Sequence, residues 1–136
     1  MRDEFVEAVL AVVELVPPGA VLAYGDVAEL LGMGGPRQVG TVMSRYASDV
    51  PWWRVIKAGG GFPEGHERAA LTKYLEEGTP LRGDPQSGPW RVDMLRARWA
   101  PNDAELDAVD AVADALWERV HGPRGRMSDP DGELRP

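Results

Sequence analysis

The stretch DVAELLGMGGPRQVGTVMSRY, residues 26 to 46, places a glycine turn between two short amphipathic segments. Asp26 can cap a helix that runs to about Leu31, and Gly32 follows in the position that tolerates a left-handed backbone. Pro36 suits the first position of a second helix, which we expect to end near Tyr46. The residues expected to face inward are Val27, Leu30, Leu31, Val39, Val42 and Met43. Two helices joined in this way form the helix-turn-helix pattern, which is typical of DNA-binding domains and also occurs as a plain packing unit.

A second distinctive stretch is VPWWRVIKAGGG, residues 50 to 61, in which a proline precedes two adjacent tryptophans. Its composition predicts a strand over residues 52–57 and a glycine-rich loop through about Gly65. Neighbouring side chains of a strand point to opposite faces, so at most one of Trp52 and Trp53 can lie in an ordinary core. A strand and a loop after a helix-turn-helix predict a wing.

Flanking segments complete the expected domain. Helical periodicity predicts a core helix over residues 3–16, which the Pro-Pro-Gly of residues 17–19 ends. A helix over residues 67–77 is expected to bury Ala70, Leu71, Tyr74 and Leu75. Residues 82–89 are polar and rich in turn formers, whereas residues 90–99 mix apolar and basic side chains without a period that assigns a structure.

Asn102, with Glu105 three positions later, predicts the start of a last helix. Its apolar stripe consists of Leu106, Val109, Val112, Ala113, Leu116, Trp117 and Val120. We therefore expect a mainly α fold with a small β wing, in which residues 1–83 form a winged helix-turn-helix DNA-binding domain and residues 84–121 add a C-terminal extension with one helix. Residues 122–136 show no periodicity and are expected to be a disordered tail.

The composition limits the class of protein. A chain of 136 residues suits one core with accessory segments, and its apolar fraction of 43% and charged fraction of 27% are typical of soluble globular proteins. No apolar run approaches the roughly 18 residues of a transmembrane helix. We expect a cytoplasmic monomer with no membrane partner.

Most catalytic templates are absent from the sequence. There is no cysteine, which excludes disulfides, thiolate catalysis and cysteine-based zinc sites. The two histidines, His66 and His121, lie in different segments and do not suggest a metal site or a Ser-His-Asp triad. We expect neither a metal nor a cofactor.

The charge is unevenly distributed along the chain. The formal net charge of -7 argues against a nucleic-acid partner, because phosphate contacts need a basic surface. Residues 100–136, however, hold nine acids and four bases, whereas residues 20–74 hold six bases and five acids. A local basic face is therefore compatible with the acidic total.

Short motifs occur in a fixed order between Val16 and Gly78. They are Pro17-Pro18-Gly19, Val21-x-x-Tyr24-Gly25, Val27-Ala28-x-x-Leu31-Gly32, Arg37-x-Val39-Gly40, Pro51-x-x-Arg54-Val55 and Lys73-x-x-x-x-Gly78. In this order they resemble the carboxy-terminal domain of the O6-alkylguanine-DNA alkyltransferase family, and within it the alkyltransferase-like proteins. Several motifs in register are more specific than any one of them. The resemblance does not extend beyond about Gly83.

The resemblance also implies what the chain does not do. The enzymes of this family have the motif Pro-Cys-His-Arg-Val, in which the cysteine thiolate accepts the alkyl group and the histidine helps to deprotonate it. Here Trp52 and Trp53 stand at those two positions, which excludes alkyl transfer. Relatives with tryptophan for cysteine bind O6-alkylguanine without repairing it and mark it for nucleotide excision repair, although many of them keep the histidine that this chain lacks.

The family's binding residues map onto this sequence position by position. Arg37 is implied to enter the base stack from the minor groove and fill the gap left by a flipped nucleotide, while Tyr24 is implied to press on its phosphate and to lie near the base pocket. The residues implied to form or border that pocket are Tyr24, Trp52, Trp53, Arg54, Val55 and Lys57. Gln38, Thr41 and Arg45 are further candidates for DNA contacts on the second helix of the motif.

Each role has a structural alternative. The two tryptophans could fill a core, Tyr24 could be a buried tyrosine, Arg37 could be a solvated surface residue and Arg54 could form an ion pair. Two other functions also stay open: a winged-helix transcription regulator that reads base edges in the major groove, and a protein-interaction module that no longer binds DNA.

Overall fold

The computed structural model describes residues 3–61 and 65–122. The tail expected to be disordered lies, apart from Gly122, outside the described residues, as does the centre of the glycine-rich loop. Along the chain the elements are α1 (Asp3–Leu15), β1 (Leu22–Ala23), α2 (Tyr24–Leu31), α3 (Pro36–Tyr46), a 3-10 turn (Trp52–Arg54), β2 (Val55–Ile56), α4 (Glu67–Glu77), β3 (Leu81–Gly83), β4 (Trp90–Val92), α5 (Met94–Ala97) and α6 (Asp103–His121).

The helix-turn-helix is confirmed, with α2 and α3 packed together across the glycine turn. Gly32 follows α2 in a left-handed conformation, φ 69°, and Gly34 also has a positive φ of 74°. A β-carbon at Gly34 would come within 2.8 Å of the ring of Phe5, so the turn lies directly on α1. Glycine is therefore required here both by the backbone conformation and by the close packing of α1.

The start of α2 differs from the prediction. Tyr24 is the first residue of the helix and Ala23 is its N-cap, whereas we expected Asp26 to be the cap. Asp26 lies at the third helical position and its carboxylate accepts a hydrogen bond from the Ala23 amide at 2.8 Å. A carboxylate at that position can reach back to the N-cap amide, so the same residue stabilises a helix that begins three residues earlier than predicted.

The expected strand over residues 52–57 is only partly present. Trp52 to Arg54 form a 3-10 turn, closed by the Val55 amide donating to the Trp52 carbonyl, and the strand is limited to β2. β2 pairs in parallel with β1, with Val55 opposite Leu22. A 3-10 turn rotates the chain by about 120° per residue, so the alternation argument does not apply to the two tryptophans.

The segment after α4 was only partly predicted. β3 and β4 form an antiparallel hairpin, and α5 follows it, in residues that we expected to be turns or could not assign. In α4 itself Ala70 and Tyr74 are buried, but Leu71 is half-buried and Leu75 is 63% exposed, contrary to the prediction. Only one narrow face of α4 contacts the core because the hairpin and the 3-10 turn cover that face alone.

The last helix is part of the main core. The capping pair is confirmed: the Asn102 side chain accepts from the Glu105 amide at 2.8 Å, and the Glu105 carboxylate accepts from the Asn102 amide at 2.9 Å. Val109 and Leu116 are buried in the same cluster as Val9 and Val12 of α1, whereas Leu106 is 38% exposed. Within residues 3–61 and 65–122, no helix combines the length and the apolar character needed to cross a membrane.

Candidate functional site

A pocket of about 550 Å³ opens between α3, the 3-10 turn and the residue that precedes α4. Its aromatic and apolar lining consists of Tyr24, Gly40, Met43, Ala47, Trp52 and Val55. Its polar lining consists of Ser44, Ser48, Lys57 and His66. An aromatic cavity with a few polar side chains at its rim is the usual form of a site that takes a flat organic ring.

Tyr24 forms one wall of the pocket. Its ring lies against α3, where a β-carbon built on Gly40 would be 3.2 Å from Cε2 and 3.3 Å from Cδ2 of the ring. Only a residue without a side chain lets the ring approach α3 so closely. Burial raises the pKa of the Tyr24 hydroxyl, which therefore stays protonated and available as a hydrogen-bond donor.

The two tryptophans contact each other but have different surroundings. Their rings meet edge to face with centroids 5.5 Å apart and an interplanar angle of 86°. Trp52 lines the pocket, where it also contacts the ring of His66, with centroids 5.5 Å apart. Trp53 is turned towards α4, and its indole N–H donates to Glu77 at 3.0 Å. Trp52 thus lines the pocket, whereas Trp53 belongs to a scaffold of side chains that are hydrogen-bonded to Glu77.

Glu77, at the end of α4, organises that scaffold. Its carboxylate accepts hydrogen bonds from Arg54 Nη2 at 2.7 Å and Nε at 3.2 Å, and from the Gly19 amide at 3.2 Å. Arg54 Nη1 also donates to the Val16 carbonyl at 3.0 Å, and the Tyr74 hydroxyl donates to the Trp53 carbonyl at 2.6 Å. The side chains of Arg54 and Glu77 are only 14% and 12% exposed, so the pair is largely removed from solvent.

The protonation of Glu77 responds to this environment. Burial by itself raises the pKa of the carboxyl, but the hydrogen bonds from Arg54, Gly19 and Trp53 and the charge of Arg54 outweigh it, so the pKa is lowered. The carboxylate is therefore ionised at neutral pH, where it can hold the guanidinium with two hydrogen bonds.

The exposed face of α3 is basic. Arg37 and Arg45 lie on it, α3 contains no acidic residue, and neither arginine forms an ion pair with any residue of 3–61 or 65–122. Gln38 and Thr41 are already bonded locally: Gln38 Oε1 accepts from the Gly35 amide at 3.0 Å, and Thr41 Oγ1 donates to the Arg37 carbonyl at 3.1 Å. The two arginines are thus the free charged groups of this face.

The structure brings together some of the predicted pocket residues and separates others. Tyr24, Trp52, Val55 and Lys57 line one cavity. Trp53 and Arg54 do not line it, because both side chains are directed to Glu77. Arg54 forms an ion pair with Glu77, which is the structural alternative that we gave for it.

Several lining residues were not predicted. Gly40 and Ser44 lie one helical turn apart on α3, so the helical period could have indicated them once Tyr24 was placed beside that helix. His66 reaches the pocket from the far side of the glycine-rich loop, and no sequence period links it to Trp52. Among the described residues, no cluster of His, Asp and Glu side chains could hold a metal ion.

Comparisons with known proteins identify the family of the chain. Residues 4–77 match the family model of the 6-O-methylguanine DNA methyltransferase DNA-binding domain. A DNA base-flipping protein of Escherichia coli (strain K12) is 37% identical over 106 residues, which cover 72% of this chain and 76% of that protein. Alkyltransferase-like protein 1 of Schizosaccharomyces pombe is 30% identical over 106 residues, which cover 73% of this chain and 97% of that protein.

Solved structures show the same fold. The crystal structure of S. pombe Atl1 in complex with damaged DNA containing O6-carboxymethylguanine is similar to this chain, with a TM-score of 0.62 and 30% identity. The similarity covers 74% of this chain and 99% of that one. A second structure, of the S. pombe protein in complex with DNA, gives a TM-score of 0.61 and 32% identity.

The role of Glu77 can be tested by the substitution Glu77→Gln. At neutral pH we expect the free energy of unfolding to fall by roughly 3 kcal/mol, because Arg54 then loses its charged partner. Since the pKa of Glu77 is lower in the folded chain, its contribution is present above the ordinary carboxyl value of 4.5 and is lost as the pH falls through the lowered pKa. The gap between wild type and variant should therefore close in acid, as measured by urea unfolding at a series of pH values.

The matched control is Glu76→Gln, because Glu76 lies next in the chain and its side chain is 62% exposed, 4.0 Å from Lys73. It should change the free energy of unfolding by less than about 0.5 kcal/mol at any pH. An equal loss of unfolding free energy in the two variants would contradict the role of Glu77. So would a difference between wild type and Glu77→Gln that is the same in acid as at neutral pH.

Proposed function

The chain belongs to the family of the 6-O-methylguanine DNA methyltransferase DNA-binding domain, and on this premise we propose that it is a non-enzymatic sensor of O6-alkylguanine in duplex DNA. It binds the minor groove with α3, takes the damaged base out of the stack into the pocket, and leaves the alkyl group in place. The observation that supports this most directly is the position of an aromatic pocket beside a basic, acid-free helix.

The pocket suits an extrahelical base. Tyr24 and Trp52 offer aromatic surface, and Met43, Ala47 and Val55 add an apolar lining. Extruding a base costs a few kcal/mol, and stacking on an aromatic side chain returns about 1 to 3 kcal/mol per base. A guanine alkylated at O6 pairs poorly, so its extrusion costs less than that of an intact guanine. The lower cost of extrusion thus favours the damaged base before it makes any contact with the pocket.

Arg37 suits the gap that the base leaves behind. It is the second residue of α3, is exposed, and lacks an ion-pair partner among the described residues. A cation at a helix N-terminus is disfavoured by the helix dipole. Contact with DNA phosphates or stacked bases would offset this unfavourable interaction of Arg37. Arg45 is an exposed cation in the last turn of α3, and we propose that it contacts a phosphate.

Alkyl transfer has no thiolate nucleophile in this chain. The sequence contains no cysteine, and the residues of the Pro-x-x-Arg-Val motif that would supply thiolate and base are Trp52 and Trp53. An indole N–H is only a hydrogen-bond donor, and that of Trp53 is already bonded to Glu77. The lesion would therefore persist in the complex, and a complex that persists can be recognised by nucleotide excision repair proteins. We propose these as partners and the cytoplasm as the location.

Two observations bear on the transcription-regulator alternative. A regulator would read base edges with polar side chains of α3, but Gln38 and Thr41 both use polar atoms for hydrogen bonds to nearby backbone. The aromatic pocket would also have no role in such a protein. A protein-interaction module without DNA affinity would leave Arg37 and Arg45, which have no ion-pair partner among the described residues, without a role.

The proposal predicts a preference for damaged DNA that depends on Arg37. Wild-type protein should bind a short duplex with one O6-methylguanine more tightly than the same duplex with guanine, measured by fluorescence anisotropy at one stated salt concentration. Arg37→Ala should weaken binding to the damaged duplex at least roughly tenfold, the equivalent of about 1.4 kcal/mol. Arg91→Ala, which removes an exposed arginine from β4, is the control for the change in net charge. Equal binding of the two duplexes by wild type would contradict the proposal.

A second prediction concerns the position of the Tyr24 ring. Gly40→Ala places a methyl group 3.2 Å from that ring, so the ring must move. Affinity for the damaged duplex should fall about three- to tenfold, which corresponds to roughly 1 kcal/mol of lost stacking. Thermal stability should change little, because alanine favours the helix by about as much as crowding disfavours it. Gly88→Ala is the control, because Gly88 has open space around it, and it should alter neither affinity nor thermal stability. Unchanged binding by Gly40→Ala would contradict a contact between the Tyr24 ring and the bound base.

A further inference from the structure

His66 lies at the rim of the base pocket, and no hydrogen bond within residues 3–61 and 65–122 accounts for its position. It is the residue that precedes α4, yet its side chain makes no capping hydrogen bond to that helix. Its ring contacts Trp52 with an interplanar angle of 57°, and the side chain is exposed. Neither ring nitrogen is hydrogen-bonded to any residue of 3–61 or 65–122. The ring thus lies beside the pocket, and neither nitrogen is bonded within the described part of the chain.

The distance between His66 and Trp52 decides how a base could meet the histidine. Their ring centroids are 5.5 Å apart, whereas a base inserted between two rings needs them about 7 Å apart, twice the usual contact distance of roughly 3.5 Å. A base cannot therefore stack between His66 and Trp52. A base that stacks on the aromatic lining instead presents an edge, and not a face, to the imidazole.

The polar groups of the rim favour one kind of base edge. Lys57 and His66 are its basic side chains, and no residue of 3–61 or 65–122 contributes a carboxylate to the lining. Ser44 Oγ already donates to the Thr41 carbonyl. The rim therefore offers hydrogen-bond donors from Lys57 and His66 and is suited to an edge rich in acceptors.

Guanine alkylated at O6 has such an edge. Intact guanine presents O6 and N7 as acceptors but also a proton on N1. Alkylation of O6 removes that proton, so N1, O6 and N7 are then all acceptors along one side of the ring. A donor placed at this edge is accepted by the alkylated base, whereas at N1 of intact guanine it meets another donor.

We propose that His66 is a specificity-determining residue of the pocket, which donates a ring N–H to the acceptor edge of the O6-alkylated guanine. The inference rests on the proposed function and goes beyond it, because it assigns discrimination of the base to a side chain from outside the helix-turn-helix and outside the Pro-x-x-Arg-Val motif. Lys57 supplies a second donor and a positive charge at the same rim.

The test compares wild type, His66→Ala and His66→Gln on two duplexes, one with O6-methylguanine and one with guanine. His66→Ala should bind the damaged duplex about five- to tenfold more weakly, as expected for one lost hydrogen bond, and the undamaged duplex as wild type does. His66→Gln keeps an N–H donor and should recover part of the preference. Arg68→Ala is the matched control, because Arg68 is an exposed basic residue in the first turn of α4 that does not line the pocket.

The outcomes separate this inference from the function on which it rests. If wild type and Arg68→Ala prefer the damaged duplex and His66→Ala keeps the full preference, the role of His66 is overturned and the sensor function stands. If His66→Ala weakens binding to both duplexes equally, the histidine acts on DNA in general and the specificity role is wrong. If wild type shows no preference, the sensor function itself fails and the role of His66 fails with it.

Discussion

The carboxylate of Glu77 joins segments that are far apart in the chain, and the pocket depends on it. It receives hydrogen bonds from the Gly19 amide in the loop after α1, from the Trp53 indole and from the Arg54 guanidinium, which in turn binds the Val16 carbonyl. Arg54 and Trp53 are bonded to the end of α4, and Trp52 of the same 3-10 turn lines the pocket. The ion pair of Arg54 with Glu77 thus lies directly beside the aromatic side chain that lines the pocket.

This arrangement gives the two adjacent tryptophans separate tasks. Trp53 belongs to the scaffold through its hydrogen bond to Glu77 and lies under the cations of Arg54 and Lys73, whose charged groups are 5.5 and 4.9 Å from the ring. Trp52 faces the cavity. In the proposed function, binding energy is used to hold a base and not to activate a nucleophile, so an aromatic surface replaces the thiolate that the chemistry of the related enzymes requires.

The sequence was sufficient for the features that depend on local rules. Pro36, the glycine turn and the paired Asn102 and Glu105 predicted α3, the turn between the helices and the start of α6, because capping and turn chemistry act over a few residues. The conformation of Trp52 to Arg54 was predicted wrongly, because it is set by contacts with Glu77 that are distant in sequence. His66 was missed as a pocket residue for the same reason: only the folded chain brings it to Trp52.

In the proposed function the damaged base leaves the duplex and enters the pocket without being altered. The most direct measurement is a crystal structure of the full chain bound to a duplex that contains one O6-methylguanine. We expect the base to lie outside the helix against Tyr24 and Trp52, with its methyl group still on O6 and with Arg37 in the gap. A complex in which the damaged base remains stacked in the duplex and the pocket is empty would contradict it.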